Sequence, residues 1–314
     1  MSTFFTNDGD NVLPIFDDYL SKYIGNSNKL AILMDYDGTL TSIAGRPELA
    51  TLPVQTKRVL ERLSKMSNVY IAIISGRNVN NVKDMVGIEG ITYAGNHGLE
   101  IHFPDGSEFN YPVPKEYEEK VSKLSKSLQD QVCKDGAWVE NKGPTLTFHY
   151  REVPLDLHTE LVSKAQFFIE RAGFKANQAL CAVEAKPPVK WNKGHASLYI
   201  LSKTFGLDWS DHVRTIYAGD DKTDEDAMLA LKGRAATFRV TQSNTVKTYA
   251  ERRLPTTDAV LSMLKWVERH FGKRLSREDS VENFSNNLQP QSGEIQIEHD
   301  IPEKKLSLNN TIYP

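Results

Sequence analysis

The sequence contains little cysteine and no long apolar run, and each absence excludes a class of protein. Its 314 residues include two cysteines, Cys133 and Cys181, which are too few for a disulfide framework or a zinc signature. No apolar stretch approaches the roughly 20 residues that a membrane-spanning helix requires.

A strong excess of charge of one sign is also lacking. The 38 basic residues nearly balance the 41 acidic residues, so no basic surplus indicates a nucleic-acid partner. Residues 1–10 are acidic and polar, unlike a signal peptide. We therefore expect a cytoplasmic protein that binds neither a membrane nor nucleic acid.

The most informative segment is the sequence DYDGT at residues 35–39, which directly follows the apolar run 31–34. A buried strand that ends in two carboxylates two residues apart points both of them the same way. A carboxylate can attack phosphorus and form an aspartyl-phosphate, while a second carboxyl group gives a proton to the leaving alcohol. We assign the first role to Asp35 and the second to Asp37. The alternative is a pair of aspartates that cap the following loop.

Two further apolar strands are predicted at 69–74 and 213–218, and polar side chains follow both of them. The first strand leads into Ser75 and Arg77, whose hydroxyl and forked guanidinium suit a phosphate oxyanion. The second leads into the acidic segment 219–226, and its clustered carboxylates are the oxygen ligands that Mg²⁺ prefers.

Ligands of open α/β sheets bind outside the carboxyl ends of the strands, so these polar clusters are expected to converge in one crevice. Lys193 opens a predicted amphipathic helix and could neutralise both a phosphate and Asp35. Two alternatives remain at this point. In the first, Lys193 is a solvated lysine at the start of a helix. In the second, the acidic segment caps a helix, and Thr223 and Asp226 form a capping box.

Taken in their order along the chain, the four segments at 35–39, 75–77, 191–194 and 219–226 resemble the motifs of the haloacid dehalogenase (HAD) superfamily of phosphotransferases. A longer set resembles the trehalose-6-phosphate phosphatases within it: YAGNHGLE at 93–100, VENK at 139–142, HYR at 149–151, EAKP at 184–187 and WNKG at 191–194. The resemblance covers about residues 29–270. It agrees with the α/β pattern and implies a Rossmann-like HAD core with a parallel sheet and an inserted α+β cap.

The resemblance implies hydrolysis of trehalose 6-phosphate to trehalose and phosphate, the final step of trehalose biosynthesis, through an aspartyl-phosphate. The cofactor would be Mg²⁺, bound by Asp35, by the backbone carbonyl of Asp37, and by Asp220 or Asp224. Two roles remain possible for Asp221: it could be a further metal ligand, or it could orient Lys193.

Ser75 and Lys193 are expected to hold the phosphate oxygens as catalytic residues, with Arg77 close behind. A disaccharide must be recognised by several convergent donors and acceptors. The predicted sugar-binding residues are His97, Glu140, Lys142, Arg151, Glu184 and Lys186. For the charged pairs 140/142 and 184/186 the alternative is a surface salt bridge, and His97 could instead pack at a hinge.

Four parts are predicted along the chain. They are an N-terminal segment (1–28), the phosphatase core (29–102 and 191–274), an inserted cap for sugar recognition (103–190) and a disordered tail (275–314). The cap pattern indicates two helices on a small antiparallel sheet, and the tail is polar without apolar periodicity.

Two rival functions are retained. One is another capped sugar phosphatase, such as a sucrose-phosphate enzyme, and the other is a non-catalytic sensor of sugar phosphates. Many relatives carry a synthase domain before the phosphatase, whereas 28 residues precede the first predicted strand here. We therefore expect no synthase activity, and association with a separate synthase is a further hypothesis.

Overall fold

The computed structural model describes the backbone of residues 13–286 and the side chains of residues 17–272. The helices are α1 (Leu13–Ile24), α2 (Val54–Leu63), α3 (Val79–Val86), α4 (Glu116–Gln131), α5 (His158–Arg171), α6 (Lys193–Phe205), α7 (Trp209–His212), α8 (Lys222–Ala230) and α9 (Thr257–Asn286). The strands are β1 (Leu30–Met34), β2 (Val69–Ile74), β3 (Thr92–Gly95), β4 (Glu100–His102), β5 (Glu108–Asn110), β6 (Trp138–Asn141), β7 (Leu146–His149), β8 (Lys175–Ala179), β9 (Ala182–Lys186), β10 (Arg214–Gly219), β11 (Ala236–Val240) and β12 (Arg252–Leu254).

The larger sheet has eight strands in the order β12-β11-β10-β1-β2-β3-β4-β5. Neighbouring strands from β12 to β3 run parallel, and β4 and β5 add an antiparallel edge. Met34 of β1 pairs with Ala218 of β10 on one side and with Ile73 of β2 on the other. The carboxyl ends of these three strands therefore lie next to one another.

The central strand β1 is buried along its whole length because helices cover both faces of the sheet. Successive side chains of a strand point to opposite faces. Ile32 and Met34 accordingly join one apolar cluster, with side chains of α1, α2, α3 and α9. Ala31 and Leu33 join the opposite cluster, with side chains of α6 and α8.

The inserted module has an antiparallel sheet in the order β6-β7-β9-β8. Phe148 of β7 and Val183 of β9 pack against apolar side chains of α4 and α5, among them Leu124 and Leu161. This third cluster is separate from the two clusters of the larger sheet. The predicted fold class, a parallel α/β core with an inserted cap of two helices on a small antiparallel sheet, is confirmed.

The predicted start of the cap at residue 103 is wrong. Residues 108–110 form β5, which pairs with β4 in the core sheet through a turn at Gly106. Phe109 of β5 packs on Tyr199 of α6, with ring centroids 4.2 Å apart. The cap elements therefore run from α4 to β9, because the polar hairpin before α4 belongs to the core.

Both ends of the chain also contain helices that the sequence analysis did not assign. Part of the predicted N-terminal segment is α1, whose Leu20 and Ile24 are buried in the core. α9 continues to Asn286, so the helix includes residues 275–286 of the predicted disordered tail. The rest of that prediction, residues 287–314, lies outside the described residues. Within residues 13–286, no helix is long and apolar enough to cross a membrane.

A substitution at Gly98 tests how closely the turn after β3 packs against α6. The φ of Gly98 is +90°, and an added Cβ would lie 2.1 Å from Cβ of Ala196 on α6. Gly90 has a similar φ of +76° but open space at its Cβ position. We expect Gly98→Ala to lower the free energy of unfolding by about 1–3 kcal/mol more than Gly90→Ala, because a buried overlap adds to the backbone strain. Urea unfolding of both variants measures this, and equal losses would contradict the packing described.

Candidate active site

The carboxyl ends of β1, β2 and β10 and the polar face of the cap sheet line a cavity of about 620 Å³. Most of the residues predicted from the sequence line it: Asp35, Asp37, Arg77, His97, Glu140, Lys142, Arg151, Glu184, Lys193 and Asp220. Ser75, Lys186 and Asp224 are not among the lining residues of the described chain, but each contacts one of them.

Lys193 stands at the centre of the core side of this cavity. It is the first residue of α6, and its side chain is 2% exposed. Its Nζ donates hydrogen bonds to Oδ1 of Asp35 at 2.7 Å and to Oδ1 of Asp224 at 2.9 Å. Burial alone would lower the pKa of Lys193, but the charges of Asp224 and Asp35 raise it well above its ordinary value. The lysine is therefore a buried cation rather than a solvated residue.

Asp224 is held by four donors. Besides Lys193, the hydroxyl of Tyr217 donates to its Oδ1 at 2.7 Å, and the backbone N–H groups of Asp220 and Asp221 donate to its Oδ2 at 3.0 Å. Burial is the main reason that the pKa of Asp224 rises to about 6. Gly219 is required here, because a Cβ at that position would lie 2.2 Å from Cγ of Asp224.

Asp221 caps a helix, a role that neither sequence prediction for this residue includes. It is the N-cap of α8, and its Oδ1 accepts hydrogen bonds from the backbone N–H groups of Thr223 and Asp224. The predicted capping box of Thr223 and Asp226 is wrong, because the box is formed by Asp221 and Asp224. Although burial opposes it, the charge of Lys193 and hydrogen bonds with the side chains of Thr223 and Asp224 lower the pKa of Asp221.

Asp35, Asp220 and Asp224 could hold a metal ion. One carboxylate oxygen from each lies within 4.8 Å of the others. Burial, followed by the charges of Asp224 and Asp221, raises the pKa of Asp220 to about 7. Gly38 makes room for Asp220, since a Cβ there would lie 2.2 Å from its Oδ2. Hard carboxylate oxygens around one point fit a divalent cation such as Mg²⁺.

Asp37 lies apart from this cluster and binds Arg77. The guanidinium donates from Nε and Nη2 to the two carboxylate oxygens of Asp37, each at 2.7 Å. It also donates to Oδ1 of Asn81 at 3.0 Å and to the carbonyl of Pro47 at 2.7 Å. Arg77 was predicted to bind the substrate, but in this structure its donors are committed to protein groups.

Ser75 is buried at the end of β2, where its Oγ accepts a hydrogen bond from the backbone N–H of Arg77 at 3.2 Å. The hydroxyl thus fixes the turn that carries the guanidinium. The backbone N–H of Ser75 in turn bonds the carbonyl of Ala94, which ties this turn to β3.

The charged pairs of the cap are buried or half-buried. Lys186 Nζ lies 2.8 Å from Oε2 of Glu184. Lys142 Nζ lies 3.7 Å from Oε2 of Glu140 and donates to the carbonyl of Gly76 in the core at 3.2 Å. Burial opposes the shift, but Lys186 and His97 lower the pKa of Glu184 well below its usual value. Both pairs form as ion pairs, and Glu140, Lys142 and Glu184 line the cavity.

Some lining residues were not singled out as individual site residues. Strand register places Thr147 between Glu140 and Glu184 on one face of the cap sheet. His149 Nε2 lies 2.9 Å from Oε2 of Glu140, and its ring stacks on Trp138. A period of two along β7 would have found both residues once the strand pairing was known. The predicted ligand Arg151 donates to the carbonyl of Leu180 at 3.2 Å.

His97 joins the core to the cap. It has a left-handed backbone, with φ of +60°, and Nε2 lies 3.3 Å from Oε1 of Glu184. Burial, followed by the positive charge of Lys186, lowers the pKa of His97 to about 4. The side chain is therefore neutral near pH 7. Gly76 packs against it, since a Cβ there would lie 2.8 Å from the ring.

Solved structures show the same fold. The C-terminal domain of C. albicans trehalose-6-phosphate phosphatase matches with a TM-score of 0.67 and 22% identity, over 85% of this chain and 99% of that chain. A phosphatase of the haloalkanoate (HAD) superfamily from Bacteroides thetaiotaomicron matches with a TM-score of 0.51 and 17% identity, over 79% of this chain and 97% of that chain. The fold is that of the HAD phosphatases.

Sequence relatives narrow the assignment. The family model for trehalose-phosphatase matches residues 33–258. Trehalose-phosphate phosphatase B of Arabidopsis thaliana is 30% identical over 75% of this chain, and the match spans 64% of the plant protein. Trehalose-phosphate phosphatase of Mycobacterium marinum is 31% identical over 64% of this chain and 51% of that protein. The chain belongs to the trehalose-phosphatase family.

The low pKa of His97 makes a prediction for the dependence of stability on pH. The unfolded chain takes up a proton at this histidine below about pH 6.5, whereas the folded chain does so only near pH 4. Stability is therefore lost as the pH falls through that interval. Between pH 7 and pH 5, we expect the wild type to lose about 1–2 kcal/mol more unfolding free energy than His97→Asn.

Asparagine suits the comparison because it tolerates a positive φ. Urea unfolding at several pH values measures the effect, and His212→Asn, at an exposed position, is the control. A wild type and a His97→Asn variant with the same pH slope would contradict the burial of an uncharged imidazole.

Proposed function

We propose that this chain hydrolyses trehalose 6-phosphate to trehalose and phosphate, which would complete trehalose biosynthesis. The proposal rests mainly on the position of Asp35. This carboxylate follows a central strand, accepts a hydrogen bond from a buried lysine and lines a cavity that charged cap residues also line. Membership of the trehalose-phosphatase family supports the choice of substrate.

Asp35 is the proposed nucleophile that attacks the phosphorus and becomes an aspartyl-phosphate. Burial and the neighbouring carboxylates raise the pKa of Asp35, and Lys193 opposes this shift. The ammonium group fixes Oδ1, which leaves Oδ2 to face the substrate, and Thr39 Oγ1 lies 3.4 Å from that oxygen. Lys193 would also offset the charge of the incoming phosphate.

A divalent cation would be held by Asp35 and Asp220, with the backbone carbonyl of Asp37 as a further ligand. A carboxylate oxygen of Asp224 lies in the same group of oxygens. Because Asp224 accepts four hydrogen bonds, however, its main role would be to position Lys193 and the turn before α8. Mg²⁺ bound there would supply positive charge that keeps the carboxylates ionised and stabilises the transferring phosphoryl group.

Asp37 is the proposed acid for the leaving sugar oxygen and then the base that activates water. Its carboxylate is 38% exposed and reaches the cavity, unlike the buried Asp35. Both of its oxygens are bonded to Arg77 in this structure. To reach an ester oxygen, Asp37 must turn away from at least one of these bonds, so Arg77 sets its starting position.

The sugar would be recognised by the cap. Glu140 and Glu184 present carboxylate oxygens to sugar hydroxyls, and their lysine partners Lys142 and Lys186 keep them ionised and oriented. Arg151 and His97 line the same cavity and would add further contacts to the sugar. Contacts to the non-reacting part of the substrate would help to place the phosphate against Asp35.

A substrate panel tests the reaction. With Mg²⁺, we expect phosphate release to be much faster from trehalose 6-phosphate than from sucrose 6-phosphate, glucose 6-phosphate or p-nitrophenyl phosphate. Asp35→Asn should lower it by about a thousand-fold or more, because the amide is not a nucleophile. Chelation by EDTA should abolish activity, and added Mg²⁺ should restore it.

Equal rates across the panel would retain a phosphatase but remove the sugar assignment. Absence of phosphate release from every substrate, with the variant and wild type equally folded, would favour the non-catalytic sensor.

Glu184 tests sugar recognition separately from the chemistry. We expect Glu184→Ala to raise KM for trehalose 6-phosphate about ten-fold or more, because a charge-assisted hydrogen bond to the sugar is lost. Hydrolysis of p-nitrophenyl phosphate should change little. Glu160→Ala, on the exposed side of the cap, is the matched control. Equal losses on both substrates would show that Glu184 acts on folding or on the core instead.

A further inference from the structure

Core and cap are joined on one side by an exposed ion pair between Arg46 and Glu152. Arg46 lies in the loop after β1, and Glu152 lies between β7 and α5. Nε and Nη2 of Arg46 donate to Oε1 and Oε2 of Glu152, each at 2.7 Å. The two side chains are 50% and 42% exposed. A guanidinium fork on a carboxylate fixes direction as well as distance.

The other side of the cap is held by buried contacts. The amide of Asn96 donates to the carbonyl of Lys142 at 3.1 Å and accepts from the hydroxyl of Thr145 at 2.6 Å. Asn96 is fully buried and has a φ of +50°. These buried hydrogen bonds hold the β6–β7 hairpin against the core, so the cap could rotate about this point. The exposed ion pair, in contrast, can break and reform at little cost.

The segments that carry this pair also carry groups of the candidate site. Arg46 lines the cavity and precedes Pro47, whose carbonyl accepts a hydrogen bond from Arg77, the partner of Asp37. On the cap, Glu152 follows Arg151, a predicted sugar ligand that lines the same cavity. While it is formed, the ion pair sets the separation between the loop beside the proposed acid and the segment of the cap beside the proposed sugar contact.

We propose that Arg46 and Glu152 are positioning residues that hold the cap in its substrate-engaged position, so that Arg151 lies opposite Asp37. This inference rests on the proposed function. The hydrogen bonds from Arg46 lower the pKa of Glu152, so the carboxylate stays ionised throughout the neutral range. Because the pair is solvent-exposed, it can open to release the product and close again over the next substrate.

The kinetic test uses Arg46→Gln, Glu152→Gln and the double variant. We expect each single variant to raise KM for trehalose 6-phosphate about two- to five-fold, with kcat and the hydrolysis of p-nitrophenyl phosphate nearly unchanged. The double variant should be no worse than either single one, because all three lose the same contact. High salt should weaken the wild type toward the variants.

A matched control is the pair Arg62–Glu268, which has the same forked arrangement within the core. Arg62→Gln should leave KM unchanged. If Arg46→Gln raises KM while Glu152→Gln does not, Arg46 acts on the substrate directly and the inference is overturned. Additive losses in the double variant would overturn it as well.

A second readout does not depend on activity. Spin labels at the exposed positions Leu155 on the cap and Leu207 on the core, with both native cysteines changed to serine, report the distance between cap and core. We expect a broader distribution of distances in Glu152→Gln than in the wild type. An unchanged distribution of distances in Glu152→Gln would overturn the inference, and a broader one would support it. Both conclusions hold even if the chain hydrolyses a sugar phosphate other than trehalose 6-phosphate.

Discussion

The buried ammonium of Lys193 between Asp35 and Asp224 is the interaction on which the site depends. It links α6, the end of β1 and the start of α8 through bonds of 2.7 and 2.9 Å. Removal of one partner from a buried ion pair typically costs about 3–5 kcal/mol, because the remaining charge is left without compensation. The same bonds fix the orientation of Asp35, so the stability of the core and the geometry of the proposed nucleophile have one origin.

Two carboxylates of one strand end therefore have different environments. Asp35 is buried beside a cation, while Asp37 is partly exposed and held by Arg77. This separation suits a nucleophile and a proton donor that act in turn on the same phosphoester. Above them, the cap presents ion pairs rather than apolar side chains, which suits a ligand with many hydroxyl groups. The Arg46–Glu152 pair joins these two halves at the exposed side.

The sequence predicts the strand ends well, because β1 and β2 are apolar runs, β10 is apolar in its second half, and polar residues follow all three strands. The helix cap was misplaced because Asp221 and Thr223 can both cap a helix, and the choice depends on where Asp224 lies. The cap boundary was misplaced because β5 is three residues long and mostly polar, and its place in the core depends on packing of Phe109 against α6. The Arg77–Asp37 pair and Arg46 lack a local signal, since their partners are distant in sequence.

Chemical trapping of the phosphorylated enzyme would identify the nucleophile directly. The chain is mixed with trehalose 6-phosphate and Mg²⁺, quenched within one turnover and treated with borohydride, which reduces an acyl-phosphate to an alcohol. We expect a reduced side chain at Asp35 and an unmodified Asp37 in the peptide mass spectrum. Reduction at Asp37, or at neither residue while phosphate is released, would contradict the proposed role of Asp35.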